Sequence, residues 1–319
     1  MVSVIIPSYN RSNLIEFTLK SLVEQDYPHN LFEIIVVDNA STDNTADVVK
    51  KWVARYPDLI RYEYEDRQGS HFARNGIVGK VKGDLLYFTD DDMIADKQML
   101  SSLVKVMEEH PEVATATGRV LPRWEKEPPS WLKQYFINGW LSLYDRDDDL
   151  YVSDEDFGVF SCHQMVRKDL FIKAGGYNPD IVDGEWLGDN ETGLNIKLKK
   201  SGGWFAFTHN AVTEHIIPPY RTTQAYFNKR FANQGNCDSY TEYRKRHCSD
   251  AELVHNILIY KKQILIKWAK CVTLWILQNP KWHIQRAWIE YYKNRIKYDQ
   301  RIMTDVAWRE LVLKDNWID

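Results

Sequence analysis

Three adjacent carboxylates follow a short hydrophobic run in the first third of the chain. Asp90, Asp91 and Asp92 come one residue after 85–88, where the sequence predicts the end of a buried strand. Neighbouring carboxylates repel one another, so ionised ones need a cation or hydrogen-bond donors close by. Mg²⁺ and Mn²⁺ prefer oxygen ligands, often one or two carboxylates together with substrate phosphates. The triplet is therefore a candidate metal site; a solvated loop that caps the next helix is the alternative.

A second acidic group stands before a predicted helix at residues 194–200. It contains Asp189 and Glu191. A carboxylate placed over an acceptor hydroxyl could take its proton as a general base, although capping of the helix would explain the same residues. His215 follows this segment, and imidazole is a common metal ligand, whereas a purely structural role is the alternative.

Two further polar positions could bind a nucleotide. Asp38 ends a second hydrophobic run, where its carboxylate could accept a hydrogen bond from a base or a ribose; the alternative is that residues 39–43 only cap the next helix. Arg74 lies in the small-residue segment 69–76 near a predicted helix start, where phosphate is attracted. The chain has neither a P-loop nor a dinucleotide-binding glycine pattern.

The elements that must position these residues alternate between strand and helix. Hydrophobic, β-branched runs predict strands at 2–6, 32–37, 59–63 and 85–88, with helical spacing at 12–25, 45–56, 72–81 and 97–109. This alternation predicts a mostly parallel sheet covered by helices on both faces. Ligands of such sheets bind beyond the carboxyl ends of the strands. The polar clusters at 8–11, 38–43 and 90–92 should therefore converge on one crevice. Further along the chain, the sequence predicts a short strand at 205–207.

The last third of the chain differs in character. It is predicted to be helical from about residue 224, and residues 218–319 contain 18 Lys and Arg against 10 Asp and Glu, with six of the 12 tryptophans. We therefore predict two regions, a catalytic domain at 1–217 and a basic, aromatic-rich helical region at 218–319. Basic amphipathic helices suit an anionic membrane surface. Helices that pack on the catalytic domain with a solvated basic side are the alternative.

Sequence patterns and cysteine spacing indicate the compartment in which the protein is expected. No signal-peptide pattern follows Met1, and the apolar stretch 271–277 is too short to span a membrane. The four cysteines form no C-x-x-C pair and are expected to be free thiols of a reducing compartment. We expect a cytoplasmic protein, on the cytoplasmic face of the membrane if the C-terminal helices bind lipid. No nucleic-acid-binding motif is recognisable, so nucleic acid is not an expected partner.

Taken together and in this order, the motifs resemble those of family 2 glycosyltransferases. The resemblance covers residues 2–215 and rests on these segments: the opening strand with Pro7-Ser8-Tyr9-Asn10-Arg11, the second strand with Asp38-Asn39-Ala40-Ser41-Thr42-Asp43, the segment 69–76, the triplet 90–92 as its D-x-D, and Arg167 with Gly175-Gly176-Tyr177.

The resemblance implies a GT-A fold: a Rossmann-like, mostly parallel sheet flanked by helices, here with a C-terminal α-helical appendage. It also implies sugar transfer with inversion from a nucleotide-sugar, of the UDP- or GDP-sugar kind, aided by Mn²⁺ or Mg²⁺. The acceptor would be a saccharide or lipid-linked saccharide, as in cell-surface polysaccharide assembly. The residues implied for the donor are Pro7, Tyr9, Arg11, Asp38 (on the base), Arg74, Asn75, Asp90 and Asp91; those for the metal are Asp90, Asp92 and His215.

The catalytic loop departs from the family pattern. Members usually have Gly-Glu-Asp with Asp as base, whereas this chain has Gly188-Asp189-Asn190-Glu191. Counting back from Gly202 places Glu191 at the base position, and counting forward from Gly188 favours Asp189 or Asn190. We expect Glu191 to be the base, with Asp189 as the alternative.

Two other functions are compatible with a doubly wound sheet. A nucleotidyltransferase would normally have a glycine-rich basic loop after the first strand, and residues 7–11 contain none. A non-catalytic Mg²⁺-binding regulatory domain would leave the acidic and histidine segment, residues 183–215, without a role.

Overall fold

The computed structural model describes residues 1–133, 139–182 and 184–318. Its strands are β1 (Val2–Ser8), β2 (Phe32–Asp38), β3 (Ile60–Tyr64), β4 (Leu85–Thr89), β5 (Met93–Ala95), β6 (Val113–Trp124), β7 (Leu150–Ser153), β8 (His163–Arg167), β9 (Ile181–Val182), β10 (Glu185–Trp186) and β11 (Trp204–Ile217). Its helices are α1 (Ile15–Val23), α2 (Thr45–Arg55), α3 (Ser70–Gly76), α4 (Met99–Glu109), α5 (Ser130–Lys133), α6 (Lys168–Lys173), α7 (Glu191–Lys200), α8 (Gln224–Arg246), α9 (Asp250–Ile276), α10 (Trp282–Thr304) and α11 (Val306–Leu313).

The central sheet is mostly parallel, as the sequence predicts. Its order is β3-β2-β1-β4-β8-β6-β11-β5, with β7 paired to β11. The pairs β1–β2, β1–β4, β2–β3 and β6–β11 are parallel, and β8 enters antiparallel between β4 and β6. All residues of β1 and β2 are buried, which explains their continuous β-branched sequence.

Helices cover both faces of this sheet. The core on one face joins Ile15 and Leu19 of α1 to Leu103 of α4. The core on the other face joins Phe171 of α6 to Leu194 of α7. The two layers hold the carboxyl ends of β1 and β4 side by side, and the loops that follow these strands leave the same edge of the sheet.

Two predicted elements differ from the structure. The helix predicted at 72–81 ends at Gly76 and continues as a 3₁₀ turn, consistent with the poor helix propensity of Gly76 and Gly79. The strand predicted at 205–207 extends through all of β11, because a bulge between Thr208 and Val212 breaks the alternation on which sequence reading depends.

The C-terminal helices form a bundle beside the sheet. Helix α10 packs between α8 and α9, and α11 packs on α10. Ile284, Tyr291, Tyr298 and Ile302 lie at helical spacing on α10 and are buried. Within the described residues, no helix is both long enough and apolar enough to cross a bilayer.

Candidate active site

A cleft of about 480 Å³ opens beyond the carboxyl ends of β1 and β4. The loop after β1 and the acidic triplet after β4 line one side, and the N-termini of α3 and α7 line the other. The predicted site residues that line it are Pro7, Tyr9, Arg11, Arg74, Asp90, Asp91, Asp92, Asp189 and Glu191. The remaining three, Asp38, Asn75 and His215, do not line it.

The first two carboxylates of the triplet have different partners. Asp90 is half-exposed in the cleft, and Arg74 donates to its Oδ1 from Nη2 at 2.7 Å. Asp91 is buried and accepts a hydrogen bond from Ser8 Oγ at 2.7 Å, while Arg11 Nε lies 3.4 Å from its Oδ1. The strand order causes this arrangement, because β1 and β4 are neighbours. Ser8 thus anchors the β1 loop to the acidic triplet.

Asp92 lies with a histidine and an arginine. Its Oδ2 is 3.6 Å from His215 Nε2 and accepts from Arg221 Nη2 at 3.1 Å. His215 Nδ1 lies 2.8 Å from the carbonyl oxygen of Leu141, so Nε2 is the ring nitrogen that faces Asp92. Arg221 Nη1 is 2.5 Å from that Nε2, so the guanidinium contacts both the imidazole and the carboxylate.

The side chains of Asp92 and His215 have the chemistry of divalent-ion ligands. A carboxylate oxygen and an imidazole nitrogen are both ligands of Mn²⁺, and such ions often complete their shell with water and substrate phosphates. Among the residues that the structure describes, no cluster of three or more His, Cys, Asp or Glu side chains has the arrangement of a metal site. Asp90, the other predicted ligand, is paired with Arg74.

The pKa values of Asp91 and Asp92 are shifted in opposite directions by their surroundings. Burial raises the pKa of Asp91, and the charge of Asp92 acts in the same direction. Burial also works to raise the pKa of Asp92, but its interactions with His215 and Arg221 outweigh burial and lower that pKa. Asp92 is therefore the member of this pair that holds its negative charge most firmly.

Two predicted donor-binding residues make internal contacts. Asp38 accepts from Tyr62 Oη at 2.8 Å and from a backbone amide at 2.9 Å. Asn75 Nδ2 donates to the carbonyl oxygens of Tyr177 and Trp317 at 2.9 and 3.0 Å, and its Oδ1 accepts from Tyr177 N at 2.9 Å. Asn75 thus joins α3 to the C-terminal end of the chain. The roles of both residues toward the donor stay predictions.

Both carboxylate oxygens of Asp189 have hydrogen-bond partners within the protein. Oδ1 accepts from Asn178 Nδ2 at 2.9 Å, and Oδ2 accepts from Thr241 Oγ1 of α8 at 2.6 Å. The side chain is buried, which raises its pKa against the effect of these two donors. Asp189 therefore links the catalytic loop to α8.

Glu191 is the first residue of α7 and has a freer carboxylate. Oε2 accepts from Ser161 Oγ at 3.3 Å, a long hydrogen bond. Burial raises the pKa of Glu191, while a backbone hydrogen bond and the charge of Arg74 oppose the shift. The preceding Asn190 has φ 45° and ψ −113°, a strained conformation for a non-glycine residue. This turn presents Glu191 to the cleft.

Several lining residues were missed by sequence reasoning. They are Ser161, Asp180, Trp186, Arg221 and, from α8, Arg230, Asn233, Gln234 and Cys237. A signal existed for the last group: positions 230, 234 and 237 share one face of a helix. Arg221 follows two prolines that fix the chain direction after β11, a weaker clue.

Comparison with known proteins identifies the family to which a chain with this fold and cleft belongs. Residues 3–175 match Glycosyl transferase family 2. The chain belongs to this family of glycosyltransferases. The two rival functions, a nucleotidyltransferase and a regulatory domain, find no support in this assignment.

Two relatives illustrate the range of similarity in sequence. Glycosyltransferase AglE of Haloferax volcanii is 36% identical over 99 residues, which are 31% of this chain and 33% of the relative. Poly(ribitol-phosphate) beta-N-acetylglucosaminyltransferase TarS of Staphylococcus aureus is 32% identical over 108 residues, 34% of this chain and 19% of the relative. The match therefore spans a third or less of these relatives' own length.

Similarity in structure extends over nearly the whole chain. A mannosyltransferase of Pyrobaculum calidifontis, solved with GDP-Man and Mn²⁺, has a TM-score of 0.62 at 19% identity, with 94% of this chain and 87% of the other covered. TarS residues 1–349, solved with UDP-GlcNAc, has a TM-score of 0.51 at 15% identity, with 95% and 91% covered. These likenesses confirm the GT-A fold.

Proposed function

We propose that this glycosyltransferase moves a sugar from a nucleoside-diphosphate sugar to an acceptor hydroxyl, with inversion at the anomeric carbon and Glu191 as general base. The observation that carries the proposal is the contrast at the catalytic loop. Glu191 faces the cleft with one long hydrogen bond, whereas both oxygens of Asp189 are engaged. A base must be free to reach the proton that it removes.

The donor would lie along the β1 loop and the triplet. Arg11 and Arg74 line this part of the cleft and can compensate the negative charge of a diphosphate. Asp90 is the most exposed carboxylate of the triplet and suits a ribose hydroxyl. Asp38 remains the proposed contact of the base.

Asp92 and His215 are the residues that would hold a divalent ion. When bound, the ion would neutralise the diphosphate and assist its departure. Arg221 must move away from the two side chains for this to happen, and its guanidinium is then free for a phosphate oxygen. Asp90 is retained as a further ligand in the proposal.

Inversion follows from the use of a single carboxylate base. Glu191 would accept the proton of the acceptor hydroxyl as that oxygen attacks the anomeric carbon from the side opposite the diphosphate. The new glycosidic bond forms as the bond to the diphosphate breaks. Positioning by the cleft walls would supply much of the rate enhancement.

The acceptor class is proposed from the relatives and the cleft. TarS acts on poly(ribitol-phosphate) by its name, and another relative, of Haloferax volcanii, is a glucosyl-dolichyl phosphate glucuronosyltransferase by its name. We therefore propose a saccharide or lipid-linked saccharide acceptor for cell-surface polysaccharide assembly. A place on the cytoplasmic membrane face and the division into regions 1–217 and 218–319 belong to the same proposal.

Two measurements test the proposal in sequence. A thermal-shift screen with Mn²⁺ or Mg²⁺ against UDP-, GDP-, CMP- and dTDP-sugars identifies the donor, since a ligand of the folded state raises the melting temperature. NMR of the product made from that donor then gives the anomeric configuration. A product with inverted configuration supports the proposal. A product with retained configuration refutes it, and so does the finding that no nucleotide-sugar raises the melting temperature under any metal condition.

A further inference from the structure

One face of α9 carries large apolar side chains that point to solvent. Leu265, Trp268 and Trp275 are 70%, 61% and 63% exposed. The α9 outer face, as we name it, consists of Val254, Leu258, Leu265, Trp268, Val272, Trp275 and Ile276. Positions 254, 258, 265, 268, 272 and 275 follow steps of three, four or seven residues, so their side chains share one side of the helix.

The second half of α9 makes little use of the protein interior. The buried residues of α9 are Leu253, Ile257 and Tyr260, all in its first half, and residues 261–276 contribute no buried side chain. The helix has 27 residues and is about 40 Å long at the usual rise. An exposed apolar surface of this kind marks a site of interaction.

The charge along residues 253–289, which contain this face, is of one sign. Between Glu252 and Glu290 the sequence has no acidic residue, and it has six basic ones: Lys261, Lys262, Lys267, Lys270, Lys281 and Arg286. Lys261 stands within the apolar stripe, where a long side chain can extend its ammonium group toward an aqueous boundary. A two-fold contact between identical α9 faces would place lysine near lysine with no carboxylate to compensate.

We propose that the α9 outer face docks in the plane of an anionic lipid bilayer. Tryptophan is favoured at the boundary between headgroups and acyl chains, and basic residues near such a surface attract anionic headgroups. The occupant that satisfies both the apolar stripe and the uncompensated lysines is therefore a lipid surface. This inference deepens the membrane contact in the proposed function and rests on it, yet its measurement needs no sugar donor.

Co-sedimentation of the full chain with vesicles tests the docking. Vesicles of phosphatidylcholine are compared with vesicles of equal parts phosphatidylcholine and phosphatidylglycerol, at low and high salt. The chain should bind the anionic vesicles at low salt and lose much of this binding at high salt. The triple variant Leu265→Gln/Trp268→Gln/Trp275→Gln should bind at least about tenfold more weakly. The matched control Ile172→Gln/Ile196→Gln changes exposed apolar residues of other helices and should bind like the parent.

The electrostatic part has its own variant. Lys261→Gln/Lys262→Gln should weaken binding to anionic vesicles by about thirtyfold at low salt. Lys20→Gln/Lys51→Gln, which removes the same charge from exposed positions elsewhere, should have little effect. Unchanged thermal unfolding of all four variants would show that the fold is intact.

Three outcomes would overturn the inference. One is a parent protein that stays in the supernatant with anionic vesicles at low salt. Another is binding that none of the α9 substitutions weakens. The last is a concentration-dependent dimer in ultracentrifugation that Trp268→Gln dissociates, since the face would then belong to a second copy. Donor binding by thermal shift remains a separate readout, so sugar transfer and lipid docking can fail independently.

Discussion

Replacement of Glu191 by glutamine should remove the chemical step and leave the cleft in place. The amide keeps the size of the side chain and can still contact Ser161 Oγ, which lies 3.3 Å from the native carboxylate. It cannot accept a proton from an acceptor hydroxyl. General-base catalysis contributes roughly 10²–10⁴ in rate. Glu191→Gln should therefore lower kcat by this factor, equivalent to about 3–5 kcal/mol of transition-state stabilisation, with little change in donor affinity.

The same variant should reveal the effect of burial on stability. Burial raises the pKa of Glu191 in the folded chain, so the folded state favours the protonated form. The stability that this provides is present below the unfolded pKa and is lost as pH rises through the folded pKa. Glu191→Gln should therefore be at least as stable as the parent at pH 8, with the difference vanishing at pH 4. The parent's rate should rise as the pH increases through the raised pKa of Glu191. The rate of the variant should not show this increase.

Asp189 provides the internal control. Asp189→Ala leaves Asn178 and Thr241 without their buried acceptor, which should reduce the free energy of unfolding by about 2 kcal/mol or more. Activity per folded molecule should fall less than in Glu191→Gln. Nucleotide release coupled to a colorimetric phosphate assay gives kcat, and urea denaturation gives stability. The base assignment is refuted if Asp189→Ala abolishes turnover at full folding while Glu191→Gln retains it.

Three further predictions concern the proposed metal site at Asp92 and the central sheet. Asp92→Asn should abolish the Mn²⁺-dependent part of donor binding in calorimetry, and unchanged metal dependence would exclude Asp92 as a ligand. Arg221→Ala should tighten Mn²⁺ binding, because the guanidinium no longer competes for the space beside Asp92; weaker Mn²⁺ binding would contradict this competition. Gly118→Ala should destabilise the chain by about 1–3 kcal/mol or more in urea, since the added Cβ would lie 1.9 Å from the carbonyl oxygen of Ala211. Gly79→Ala, with open space around the added carbon, is its control and should unfold near the parent midpoint.

The first part of the fold could be predicted because its signals are local. The parallel strands β1, β2 and β4 are short hydrophobic runs that end in polar residues. Parallel pairing then brings the ends of β1 and β4 together. The structure accordingly places Ser8 and Asp91 in hydrogen-bond contact across 83 positions of sequence.

The catalytic loop could not be decided from sequence because its partners are distant. Nothing near Asp189 indicates that Thr241 binds its Oδ2, since Thr241 lies 52 residues further along in another helix. The strained positive φ of Asn190 cannot be predicted either, because nothing in the residue type requires it. Counting along the chain therefore leaves Asp189 and Glu191 open, and the contacts on which the proposal of Glu191 rests are tertiary.

The C-terminal helices connect the cleft to the α9 outer face. Helix α8 supplies Arg230, Asn233 and Gln234 to the cleft wall and, through Thr241, holds the catalytic loop. Helix α10 packs between α8 and α9, whose outer face would lie on lipid. Docking of α9 would therefore fix the orientation of the cleft wall relative to the bilayer through two helix contacts. An acceptor that is itself anchored in the same bilayer would then meet Glu191 with less loss of rotational and translational freedom than a free one.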